Sequence, residues 1–301
     1  MSHVESIRPP AISKFLAHLQ RGELQLPAVP AVVRKLRDLA ARSDSKLDHI
    51  VSWLERDPAL VLRVMQLRRS ASFGRSSVQN PDLHFIINRV GFLQLSAVVE
   101  TVWSNDCFRV DDPRYEPEFT KLTRLSVARA MTMRALAEHI GVEVFPAYLL
   151  GLFADVGASL LLRALCEKTR SFVIAPSESL TIVRAYHESM STAALKMWGH
   201  AEPMLSIIRK HHAPVLTGAN ATYSSLLLLA CQMAEELSGD DDPTGDGDEF
   251  APELVGRVSA SMKIDEATRE TLMARLSSEF ETVREVFEDQ PHERIVISYG
   301  S

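Results

Sequence analysis

The segment Leu47–Met65, LDHIVSWLERDPALVLRVM, spaces its apolar residues at a helical period. Leu47, Ile50, Val51 and Leu54 follow the i, i+3, i+4, i+7 rule and so share one face of an amphipathic helix. Asp57–Pro58 then supplies an N-cap acceptor and a ring suited to the first helical position. Leu60, Val61, Val64 and Met65 form the inward stripe of the helix that follows. Asn80–Pro81 repeats the device and predicts a helix through Phe85, Ile86, Ile87 and Val90. Far downstream, Leu272, Leu276, Phe280, Val283 and Phe287 form another stripe. Gly141, Gly199 and Gly239 fall where helices need a left-handed C-terminal cap. Only Arg294–Tyr299 alternates as a strand does, and it reads as a tail. The fold class is all-α.

The chain has 301 residues with a formal charge of −6, 46% apolar and 24% charged side chains. That balance fits a globular protein able to bury a core and excludes disordered, collagen-like and coiled-coil classes. Cys107, Cys166 and Cys231 are odd in number and widely spaced, which argues against a disulfide framework or a zinc knuckle. The opening MSHVESIRPP lacks the apolar stretch of a signal peptide. No run reaches the ~18 apolar residues of a membrane span, so a reduced, cytoplasmic protein is expected. Charge is uneven. The first 100 residues carry 14 basic and 9 acidic side chains, a balance of +5, and the remainder carries −11. A mildly basic front half is far from the dense Lys/Arg stripe of a nucleic-acid binder, so nucleic acid is not an expected partner.

Asp106–Glu118, which contains Pro113 and Pro117, separates a front helical lobe from a second one. Gly239–Glu249, GDDDPTGDGDE, reads as a mobile, solvated acidic loop. Asp240, Asp242, Thr244 and Gly245 match positions 1, 3, 5 and 6 of a calcium-binding loop. Ala251 stands where the bidentate Glu belongs and Pro243 intrudes, so a linker is the expectation there.

Several motifs, taken in order, resemble a known family. They are Leu26–Pro27–Ala28–Val29–Pro30, Leu54–Glu55–Arg56–Asp57–Pro58–Ala59–Leu60, Ser70–Ala71 with Gly74, and Ile86–Ile87–Asn88–Arg89–Val90–Gly91. Leu150–Gly151–Leu152–Phe153–Ala154–Asp155–Val156–Gly157, Trp198 and Ile208–Arg209–Lys210–His211–His212–Ala213–Pro214 complete the set. Together they resemble the HDOD family, bacterial signalling domains related to the HD phosphohydrolases. The resemblance covers residues 20–215 and implies two lobes, a front one over 20–105 packed on a degenerate HD-like one over 106–215. Residues 1–19 and 216–301 are then helical extensions.

The resemblance also tests for chemistry. HD phosphohydrolases hold divalent metal with an early His, an adjacent His–Asp pair and a late Asp, and the metal activates water against a phosphoryl group. Carried over, the early His falls near Arg124 and the His of the pair is Ala154. Asp155 remains, and the late Asp corresponds to Cys231. A guanidinium stays protonated and repels a metal cation, so Arg124 is expected to pair with Asp155 instead.

His187, His211 and His212 match histidines that many HDOD members carry, and with Asp155 they form a residual cluster. Three readings stay open: a buried hydrogen-bond network, a zinc-type site, and a vestigial pocket for a nucleotide or phosphate. The network is favoured, with no cofactor expected. Arg68–Arg69 stand at a helix end, where they meet the dipole or contact an acidic partner. The resemblance implies a non-catalytic regulatory protein acting through protein–protein contacts, within cyclic-dinucleotide or two-component signalling. The chain is too short to carry those domains itself, so its signalling partner is expected in trans. The alternatives are a nucleotide sensor and a residual phosphohydrolase.

Overall fold

The structure is a computed structural model that describes residues 29, 33–36, 47–55, 61, 64–65, 82–108, 112–168, 176–245 and 250–288. Among these residues every regular element is an α-helix. The front lobe contributes α1 (Leu47–Leu54), α2 (Leu83–Val90) and α3 (Phe92–Phe108). Then come α4 (Glu116–Ile140), α5 (Val144–Phe153), α6 (Val156–Lys168), α7 (Pro176–Met197) and α8 (Glu202–Ile208). The chain continues with α9 (Ala221–Ser238), α10 (Pro252–Ser261) and α11 (Glu266–Glu288).

The stripe of α1 folds inward as its spacing requires, with Ile50, Val51 and Leu54 buried. The predicted start of α2 shifts by two residues. Its cap is Asp82, whose carboxylate accepts a 2.8 Å hydrogen bond from the Phe85 amide, so the helix begins at Leu83. Gly141, Gly199 and Gly239 do adopt positive φ, at 75°, 81° and 70°. Residues 1–19, Asp57–Pro58, Asn80–Pro81, Ser70–Gly74, Asp246–Glu249 and Arg294–Tyr299 lie outside the described residues.

Helix α4 is the axis of the second lobe. It packs along α5 on one side and α9 on another, with further contacts to α6 and α11, while α6 and α7 pair with each other. Its length from Leu122 to Ala137 is almost wholly buried, Arg129 included. A buried Tyr115 just before α4 hydrogen-bonds Ser179 of α7 through its hydroxyl at 2.9 Å. The front lobe joins through α3, which contacts α5 and α6. Trp103 of α3 stacks edge-on to Trp198 at 4.9 Å and to Phe153 at 6.2 Å. The apolar segment Val144–Cys166 is long enough to cross a membrane by composition, but most of it is buried inside the protein and it divides into α5 and α6. Cys166 and Cys231 are both buried.

A buried aspartate between an arginine and three histidines

The run Leu150–Gly157 is the elbow between α5 and α6, and its two glycines let α5 meet α4 and α6 meet α7 at close range. A Cβ on Gly151 would stand 2.7 Å from the Cα of Ala130, so only glycine lets α5 cross α4 this closely. A Cβ on Gly157 would collide with the His187 carbonyl and the Ser191 amide of α7. Ser191 fixes that second crossing, its hydroxyl accepting from the Gly157 amide at 2.8 Å and donating to the Ala154 carbonyl at 3.0 Å. Asp155 is thereby held between Arg129 of α4 and His187 of α7.

Asp155 is 2% exposed and uses its two oxygens differently. Oδ2 forms an ion pair with Arg129 Nη1. Arg129 extends its other arm, Nη2, to Asp242 Oδ2 at 2.8 Å. The remaining oxygen of Asp242 accepts from the amide and hydroxyl of Thr244, at 2.8 and 2.7 Å. Burial alone would push the Asp155 carboxyl up. The Arg129 guanidinium outweighs that, helped by His211 and His187, and holds it well below the ordinary carboxylate range.

Oδ1 faces the imidazoles. His211 Nε2 lies 3.1 Å from it and His187 Nε2 3.4 Å, while His187 Nε2 stands 2.6 Å from His212 Nε2. The far sides of two rings are tied to backbone. His187 Nδ1 is 3.1 Å from the carbonyls of both Val183 and Arg184, and His211 Nδ1 is 2.7 Å from that of Ile208. Because a carbonyl only accepts, those Nδ1 atoms carry hydrogens. Glu188 Oε1 lies 3.7 Å from His211 Nδ1.

The structure brings together Asp155, His187, His211 and His212, with one ligand atom of each within 4.8 Å of the others. It does not bring Arg124 to Asp155. Arg124 Nη1 instead lies 3.5 Å from Asp240 Oδ2. The cation on Asp155 is Arg129, five residues on and about 140° further round the helix, so the two arginines serve different faces. Ala154 is buried in the elbow, and Cys231 is buried on α9 outside the four-residue cluster. Arg68 and Arg69 lie outside the described residues.

The acidic loop also needs correction. Asp242, Pro243 and Thr244 are buried, and Arg184 Nε donates to the Pro243 carbonyl at 2.9 Å. A loop expected to be solvated is drawn in because Arg129 has a second arm to satisfy. Arg129 and Asp242 were missed from the sequence. The signal for Arg129 was one charge inside Val127–Ala128–Arg129–Ala130–Met131, a run with no polar face to put it on.

The metal cage of a phosphohydrolase does not fit these residues. Of its four expected ligands only Asp155 is present, and one of its oxygens is already bound by Arg129. What remains is a helical domain of the HD-related type, with an aspartate elbow and flanking histidines. The chain belongs to the HDOD domain family, whose model matches residues 26–214.

Its fold is shared with a protein of Shewanella amazonensis SB2B provisionally named a metal-dependent phosphohydrolase. That likeness has a TM-score of 0.69 and 17% identity, covering 92% of this chain and 97% of the other. A provisionally named signal transduction protein of Marinobacter aquaeolei VT8 gives a TM-score of 0.64 at 17% identity, over 92% of this chain and 66% of that one. An uncharacterised protein of Treponema pallidum (strain Nichols) is 24% identical over 200 residues, 62% of this chain. The match spans 37% of that relative's length.

Proposed function

We propose that this protein is a non-catalytic signalling component that works by binding another protein supplied in trans, through its helix faces and the groove between its lobes. The observation that carries the reading is the Asp155–Arg129–Asp242 bridge. A fixed guanidinium sits on the aspartate that a hydrolytic metal would need, and it cannot give up its proton to make room for one. Membership of the HDOD family and a fold neighbour named for signal transduction support the same reading.

A phosphate pocket finds less support. Arg124, Arg129 and Arg184 are met by Asp240, Asp242 and the Pro243 carbonyl, all acceptors from the chain's own loop. The test is turnover of phosphodiesters and nucleotides by the purified chain with added manganese or magnesium. No hydrolysis above that of an Asp155→Asn variant is expected. Hydrolysis that depends on Asp155 would overturn the reading.

A further inference from the structure

We propose that the loop Asp240–Thr244 is an internal ligand on a peptide-binding face formed by Arg124 and Arg129 of α4 and Arg184 of α7. In signalling, that face takes an acidic turn of the same chemistry from a partner protein. The inference rests on the signalling reading and adds to it the chemistry of the partner.

Guanidiniums from two helices converge on this short stretch of loop. Arg124 Nη1 stands 3.5 Å from Asp240 Oδ2, and Arg129 Nη2 stands 2.8 Å from Asp242 Oδ2. Arg184 Nε donates to the Pro243 carbonyl at 2.9 Å. What they grip is a shaped turn. The Thr244 amide and hydroxyl both donate to Asp242 Oδ1, which leaves Oδ2 for Arg129. The face therefore reads two carboxylates two positions apart and the carbonyl that follows the second. An acidic peptide supplies that pattern. A phosphate group carries its oxygens on one centre, whereas the acceptors here are spread along the backbone from Asp240 to Pro243.

The loop is also held in a way that lets it leave. Asp242 is the surplus partner of Arg129, because Asp155 stays on Nη1 when Asp242 goes and the buried cation keeps a counter-charge. The outer contacts are weaker. The Arg124 side chain is 31% exposed and its ion pair long, the kind of pair that contributes least. Arg184 is exposed and bonds a neutral carbonyl. Gly239 and Gly245 bound the segment with φ of 70° and 86°, and a Cβ on either would meet nothing within 4 Å. Glycines so placed can change backbone conformation without repacking their surroundings. Tethered at both ends, the loop competes at an effective concentration of about millimolar order. The face stays covered until a partner's turn displaces it.

The test uses the full chain and, as probe, a fluorescein-labelled peptide of its own residues Ser238–Gly245, followed by anisotropy. In the parent the loop fills the face, so the peptide should bind weakly. Asp240→Asn combined with Asp242→Asn removes the loop's grip and should tighten peptide binding at least about tenfold. Adding Arg124→Gln and Arg184→Gln to that variant should reverse the gain, as should a peptide with Asn at the Asp242 position. A folded double variant that binds the peptide no better than the parent overturns the proposal. Equal binding of the Asn-containing peptide does so too. Tighter binding of inorganic pyrophosphate than of the peptide, read by calorimetry, also overturns it and gives the face to phosphate. If the double variant does not fold, hydrogen exchange in the parent decides. Millimolar peptide should then raise deuterium uptake across residues 239–245, and unchanged uptake overturns the proposal. All these outcomes leave the Asp155-dependent turnover test of the signalling reading to stand or fall separately.

Discussion

Arg129 is 1% exposed and stands between two carboxylates, so its removal leaves Asp155 and Asp242 as buried charges without their shared cation. Arg129→Ala should lower stability by about 3–5 kcal/mol in urea unfolding, the usual cost of orphaning a buried ion-pair partner. The bridge also sets a response to acid. The Asp155 carboxyl is held below its unfolded value, so its contribution is complete above that value and is lost as pH falls through the folded one. Asp155→Asn should therefore show a flatter acid limb than the parent in pH-dependent melting. Tyr148 behaves oppositely. Burial raises its hydroxyl to about 12, against a bond to Thr101 that lowers it. The neutral phenol is favoured in the fold, so its contribution is intact below pH ~10 and fades between ~10 and ~12, by roughly 2–3 kcal/mol. Subtracting the alkaline melting profile of Tyr148→Phe from that of the parent should isolate this slope.

At the scale of elements, the crossings of α5 over α4 and of α6 against α7 each depend on one missing side chain. Gly157→Ala would press a methyl into the backbone of α7 next to His187, so the melting temperature should fall, by the equivalent of about 1–3 kcal/mol. Helix stripes and the left-handed caps at Gly141, Gly199 and Gly239 were legible in the sequence because they depend on neighbours three or four residues away. The glycines of the elbow were visible but mute, since close approach between helices leaves no local pattern. Asp155, His187, His211 and His212 were readable through the family's motif order. Arg129 and Asp242 were not, because their pairing spans more than a hundred positions and joins a helix interior to a loop that composition marks as solvated.

Across the whole molecule, the family match ends at residue 214, yet the core continues past it. Leu226 to Ala230 of α9 are buried along α4, and Leu276 and Phe280 of α11 close the same core. A chain truncated after residue 215 exposes that side of α4 and should fail to give a cooperative melting transition. Arg134 and Glu279 add an ion pair between α4 and α11, while Arg269 pairs with Glu236 between α11 and α9.

Asp242 lies in the loop between α9 and α10, so a buried guanidinium joins that loop directly to the elbow. Any load that peels α10 and α11 away pulls one carboxylate off Arg129 and leaves the whole cation to Asp155. Two carboxylates far apart in the chain thus share one cation, and the loop after α9 is a neighbour of the most deeply buried charge.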